Sequence, residues 1–200
     1  MPLVLASASP RRKALLESLG AKIHVLPVDA DEISEGIPEA VVLTNAIMKR
    51  NLAAERCGEG EVIVAADTIV VINQTILGKP RDLDEAKTML ESLSGKTHQV
   101  ITGVAVANTS NHELAEGFET TDVTFCELSS QQIDQFIEIV NPLDRAGAYT
   151  IDGPGTLMVK GYSGCYQNVL GLPMVKLNLL LQKVSVELED YVQAEGAQFL

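Results

Sequence analysis

The run Val62-Ile63-Val64-Ala65-Ala66 is apolar without a break and ends on a carboxylate, Asp67. Continuous apolarity of this length fits a strand buried on both faces, and so the centre of a sheet. A second apolar run, Ile69-Val70-Val71-Ile72, follows Asp67-Thr68, so the strand is expected to pause there and resume. An ionised side chain between two buried segments costs several kcal/mol unless a metal, a cation or an opening of the site compensates it. A turn or bulge aspartate satisfied by backbone contacts is the rival reading.

The flanking segments set the fold class. Leu3 to Ala6 reads as a short strand that Ser7-Ala8-Ser9 turns into a helix, with Ser9 as N-cap and Pro10 in the first turn. Ala14, Leu15, Leu16 and Leu19 give that helix its apolar face, and Gly20 stops it. Ile23 to Val28 reads as a second strand, followed by the acidic stretch Asp29-Ala30-Asp31-Glu32. A helix over 38–56 places Asn45 and Lys49 on one face. Asn73-Gln74 predicts a hairpin into Thr75-Ile76-Leu77. Asp82 with Glu85, and Ser129 with Gln132, predict capped helices. Strands are expected at 98–107, 120–125 and 155–160, and a last helix from Pro173. Hairpins mixed with helices predict an α/β fold on a mixed twisted sheet. One domain over 1–183 is expected, followed by an acidic tail at 184–200.

Charge narrows the chemistry. Fifteen Lys and Arg against 27 Asp and Glu leave a net charge of −12. That balance disfavours nucleic acid and anionic membrane as partners. An acidic chain that binds a small phosphate must gather its few cations in one place. Arg11 and Arg12 stand in the first turn of the first helix, where the dipole disfavours cations, and an anion seated there would resolve the conflict. A solvated surface pair is the plainer reading. Lys79, in Leu77-Gly78-Lys79-Pro80, is a second candidate, although the Walker A spacing is absent. The stretches 144–149 and 164–173, broken by Gly147, Gly164 and Gly171, suit loops that shape a pocket. Cys57, Cys126 and Cys165 show no CxxC spacing and read as reduced thiols of a cytoplasmic protein. His24, His98 and His112 have no zinc-ligand spacing.

Together these segments resemble the Maf family of nucleoside triphosphate pyrophosphatases. The resemblance rests on Ser7-Ala8-Ser9-Pro10-Arg11-Arg12, Asp31-Glu32, Asn45-Ala46 before Lys49, Ala66-Asp67-Thr68, Leu77-Gly78-Lys79-Pro80, Leu93-Ser94-Gly95 with His98, Asp144 to Tyr149, and Asn168-Val169 with Gly171-Leu172-Pro173. Each is weak alone, but the ordered set spans the chain to about residue 182. It implies an elongated α/β fold, like that of inosine triphosphatase, with two lobes around a deep cleft, commonly in a homodimer. The implied reaction cleaves a nucleoside triphosphate between its α- and β-phosphates, with Mg²⁺ or else Mn²⁺ or Co²⁺. The family's general base falls on Asp67 and its acidic helper on Glu32, the two implied metal ligands. Substrate contacts are implied for Ser7, Ser9, Arg11, Arg12, Lys49, Thr68 and Lys79. The family name is also tied to septum formation, which leaves a nucleotide-binding regulator as the alternative function.

Selectivity within the family is attributed to the positions of Arg12, Thr68 and Asp152. The stretch Ala146-Gly147-Ala148-Tyr149 resembles the dTTP/UTP branch, in which glutamine usually follows the isoleucine. Here Asp152 follows Ile151. A carboxylate only accepts hydrogen bonds, whereas an amide both donates and accepts. Acceptor-only character suits a donor edge, such as guanine N1–H and N2–H₂, or uracil N3–H alone. The resemblance to the dTTP/UTP branch makes pyrimidine preference the leading expectation, with 7-methyl-GTP or broad specificity as the alternative.

Overall fold

A computed structural model describes residues 1–193 and Ala197 of the chain. Its central strand, β3 (Val62–Ile72), continues through Asp67 and Thr68 without the expected pause. Alternation along the strand sends Asp67 and Thr68 to opposite faces, and a neighbouring strand continues the ladder past both. That neighbour is β5 (Thr97–Asn108), whose Gly103 stands opposite Asp67 and whose Thr102 stands opposite Thr68.

The interruption lies along the other edge of β3. There β1 (Leu3–Leu5) runs parallel to Val62–Val64, and β4 (Thr75–Leu77) runs antiparallel to Val70–Ile72. Between them, among the described residues, no strand covers that edge. A gap in the sheet therefore opens beside Asp67, and side chains from both faces can border it. The remaining strands are β2 (Ile23–Val25), parallel to β1, then β6 (Glu113–Phe125) beyond β5 and β7 (Val159–Ser163) on β6. The order β2-β1-β3-β5-β6-β7, with β4 beside β3, is a mixed sheet, as expected.

The helices are α1 (Pro10–Glu17), α2 (Pro38–Ala54), α3 (Leu83–Leu93), α4 (Ser130–Val140), the short α5 (Tyr166–Val169) and α6 (Met174–Gln182). Ser129 and Gln132 form the reciprocal cap on α4. On α3 only half of the expected box is made: Asp82 accepts from Glu85 N, while Glu85 turns back to Arg81. The strand expected at 155–160 is displaced. Gly153–Leu157 is a tight 3-10 turn, begun by Gly153 at φ 51° and closed by Gly155 N donating to Asp152 O.

Core residues gather towards the two ends of the long strands. One cluster packs Leu3, Val64, Val104 and Leu177 with Leu16 of α1. Val184, Val186 and Leu188, past the expected domain end, join the same cluster. Residues 194–196 and 198–200 of the expected tail lie outside the described residues. The other large cluster packs Val70, Leu90, Phe125, Ile133 and Tyr149. The strands β3, β5 and β6 run from one cluster into the other. No helix among the described residues is long and apolar enough to cross a membrane.

Within the second cluster His98 Nε2 lies 2.8 Å from the Tyr149 hydroxyl, and the His98, Phe125 and Tyr149 rings meet edge to face. Burial lowers the His98 pKa from 6.5 to about 4 and raises that of Tyr149. Between these His98 values the unfolded chain takes up a proton that the folded chain refuses, so stability falls as pH falls. A loss of about 3 kcal/mol is expected by pH 4, at about 1.4 kcal/mol for each tenfold difference in proton affinity. Urea unfolding from pH 7 to 4 should show this slope, and His98→Gln should flatten it. Equal slopes in both proteins would remove His98 as the cause.

Candidate active site

A cavity of about 310 Å³ opens at the gap beside Asp67. Its wall takes residues 6–12 from the end of β1 and the start of α1, with Glu32, Lys49, Asp67, Thr68, Lys79, residues 144–146 and 169–171. The structure thus brings together nine of the ten residues singled out from the sequence: Ser7, Ser9, Arg11, Arg12, Glu32, Lys49, Asp67, Thr68 and Lys79. Asp152 is not in this wall. Its Oδ1 accepts a hydrogen bond from the hydroxyl of Thr150, which is.

On the α2 face of the sheet, Asp67 is buried but not alone. Lys49 Nζ lies 2.8 Å from its Oδ1, and Asn45 Nδ2 donates to its Oδ2 at 2.9 Å. The four-residue spacing read from the sequence delivers both donors from one helix face. Lys49 Nζ also meets Glu32 Oε1 at 2.7 Å, so one ammonium bridges two carboxylates. The packing that permits this is set at Gly103, across the ladder from Asp67. A Cβ on Gly103 would overlap the Val42 carbonyl and Leu43 N, so the backbone of α2 rests directly on the strand.

On the opposite face Arg12 is buried and held by neutral acceptors. Nε donates to Gly171 O at 2.8 Å, Nη1 to Ser7 Oγ at 3.1 Å and Nη2 to Thr68 Oγ1 at 3.0 Å. Thr102 Oγ1 gives its proton to Asn168 O, so in the Thr68–Thr102 contact Thr68 is the donor. Burial lowers the Arg12 pKa, and the nearby Asp67 charge opposes that shift. A guanidinium carries five N–H donors in a fixed fork, and stays charged. This buried cation, with no carboxylate in contact among the described residues, is suited to an anion in the cleft.

At the rim Arg11 Nη1 pairs with Asp144 Oδ2 at 3.0 Å and Nη2 donates to Asp144 O at 3.2 Å. Arg145 flanks the same carboxylate at 3.3 Å, and its buried Nε has no hydrogen-bond partner among the described residues. Exposed Lys79 makes no ion pair among the described residues, and its loop is tied down by Gly147 N donating to Gly78 O at 3.0 Å. Gly147 adopts φ 65°, which glycine takes at little cost. The surroundings of Cys57 push its thiol to about 11, which suits a structural residue.

Sequence reasoning did not assign Arg145, Thr102 or Tyr149 to this site. Arg145 and Tyr149 stood in a stretch already marked as a pocket loop. Thr102 carried no signal, because only strand pairing brings it to Thr68.

A Maf-like protein family model matches residues 2–184. A dTTP/UTP pyrophosphatase of Caldicellulosiruptor saccharolyticus is 42% identical over 190 residues, covering 92% of this chain and 96% of that one. Another, of Ruminiclostridium cellulolyticum, is 41% identical over 186 residues with the same coverage. Among solved structures, the Staphylococcus aureus Ham1 protein aligns at a TM-score of 0.45 and 15% identity, covering 62% of this chain and 72% of that one. With a family model spanning nearly the whole chain and relatives at this identity, the chain belongs to the Maf family.

Proposed function

We propose that the protein hydrolyses nucleoside triphosphates, dTTP and UTP foremost, to the monophosphate and pyrophosphate. The observation that carries the reading is the convergence of Arg11, Arg12, Lys49, Lys79 and Arg145 on one cleft of a chain with net charge −12. The relatives named above supply the substrate class.

In this reading the triphosphate lies across Arg11, Arg12, Lys79 and Arg145, whose charges offset the negative charge that builds on the leaving group. Ser7, Ser9 and the N-terminal turn of α1 add donors. Asp67 is the general base. Its carboxylate has about four lone-pair sites, of which Lys49 and Asn45 use two, so a water can be bound by the others. That water attacks the α-phosphorus in line and gives its proton to Asp67. The bond from the α-phosphorus to the bridging oxygen breaks, and the electron pair leaves with pyrophosphate.

The residues present fit a divalent cation. Glu32 and Asp67 already converge on a single positive atom, Lys49 Nζ, and both offer hard oxygen donors. No third acidic, histidine or cysteine side chain joins them among the described residues. One or two carboxylates with substrate phosphates is the usual magnesium arrangement. Glu32 and Asp67 would hold the ion, which would neutralise phosphate charge. Mg²⁺ is the ion proposed, and a homodimer the assembly.

Base choice is assigned to Thr150 with Asp152. Because Thr150 gives its proton to Asp152, its Oγ1 offers the cleft an acceptor only, which a donor such as uracil N3–H can meet. Pyrophosphate release with Mg²⁺ across dTTP, UTP, CTP, GTP and 7-methyl-GTP tests the whole reading, and rapid release on the first two is expected. Asp152→Gln should change the UTP to GTP preference by about tenfold, the worth of one hydrogen bond to the base. An unchanged preference would show that Asp152 does not influence base choice. Nucleotide binding without release from any triphosphate would favour the regulator.

A further inference from the structure

We propose that Asn45 is a positioning residue that locks the Glu32-bearing segment to Asp67, so that the two carboxylates act as one unit. The proposal deepens the pyrophosphatase reading and rests on it. Between β2 and α2, past the bond of Leu26 N to Leu5 O on β1, the chain runs through residues 27–37 in neither helix nor sheet. Its apolar side chains do not anchor this end of it: Ile33 is 42% exposed and Ile37 70%. Two side chains of α2 hold it instead.

Asn45 Oδ1 accepts from Ile33 N at 2.9 Å, and Nδ2 donates to Ile33 O at 2.9 Å. The side-chain amide thus pairs with one backbone residue as a neighbouring strand would. The second hydrogen of the same Nδ2 goes to Asp67 Oδ2 at 2.9 Å. These three bonds fix the amide orientation, since a flip would set donor against donor at Ile33 N and acceptor against acceptor at Asp67. Asn45 is 2% exposed, so an unmade bond there would be costly. One turn along the helix, Lys49 repeats the connection through charge, from Asp67 Oδ1 to Glu32 Oε1. Each oxygen of Asp67 is therefore linked to the segment, one by the amide through Ile33 and one by the ammonium through Glu32.

A buried asparagine that merely tethers a loop would affect stability and leave the chemistry alone. A positioning residue would share its catalytic effect with Glu32. Kinetics of wild type, Asn45→Ala, Glu32→Gln and the double variant separate the two. Asn45→Ala should lower kcat by about 100-fold, the effect of a displacement near 1 Å, with KM within about threefold. The double variant should be no worse than the poorer single variant, because both changes disable one unit. Amide exchange at Ile33 should speed up in Asn45→Ala while exchange in β5 stays as in wild type. Asn45→Asp keeps the volume and the acceptor for Ile33 N but lacks both donors, and gives a second cycle in a side chain of native size.

Losses that multiply in the double variant, or unchanged exchange at Ile33, would overturn the proposal. An inactive wild type would instead overturn the functional reading and this one with it, which distinguishes the two failures.

Discussion

Asp67→Asn is expected to lower the rate of pyrophosphate release by about 10²–10⁴-fold, the range a general base contributes. The amide has nearly the size of the carboxylate but accepts a proton too weakly to activate water. Its NH₂ group must also face a donor, either Lys49 Nζ or Asn45 Nδ2, because those two now occupy the two oxygens. That mismatch is expected to cost about 1–3 kcal/mol of stability. The fold should survive, since Lys49 keeps Glu32 as its counter-ion. Turnover assays beside thermal melting check both halves. Turnover near that of wild type would remove Asp67 from the chemistry.

Gly103→Ala is the second large effect, and it comes from a residue that touches no substrate. The added methyl would overlap backbone atoms of Val42 and Leu43, and backbone cannot rotate aside as a side chain can. The helix must lift. Overpacking of this kind costs about 1–3 kcal/mol. The catalytic loss should be the more telling result, because Asn45 and Lys49 ride on the same helix. A shift of about 1 Å between them and Asp67 can cost about 10²-fold in rate. Melting temperature and kcat are therefore expected to fall together. A folded variant with full activity would show that the seating of α2 is not what aligns Lys49 with Asp67.

The sequence was most legible where a local rule fixes the outcome. Ser9 and Ser129 cap their helices as read, Asn73 and Gln74 turn their hairpin at positive φ, and the 45/49 spacing faces one target. The structure gathers Arg11, Arg12, Lys49 and Lys79 at one cleft; Arg11 and Arg12 drew notice by their place at a helix start, Lys79 by its glycine turn, and Lys49 through the family resemblance. What escaped depends on distance along the chain. The pause assigned to Asp67-Thr68 was read from polarity, whereas the sheet is open there because β1 ends early and β4 begins late. Arg11 meets Asp144 across 133 positions, and Thr68 meets Thr102 only through register. No local pattern records such pairs. The shift of the last strand from 155–160 to Val159–Ser163 reflects a turn held by Gly153 and Gly155, of which only Gly155 lay within the expected strand.

The three long strands that run beneath the cleft have a mechanical consequence. Many nucleotide enzymes engulf their substrate by swinging one domain against another about a hinge of a few residues. Here β3, β5 and β6 cross from one half to the other, paired almost throughout, and bending them would break a ladder of hydrogen bonds. The halves are one rigid plate. Substrate capture is then left to the pieces of wall around that plate, among them residues 6–12, Glu32, Lys79 and residues 144–146. The cleft would then receive its substrate as a fixed anvil, and not as jaws.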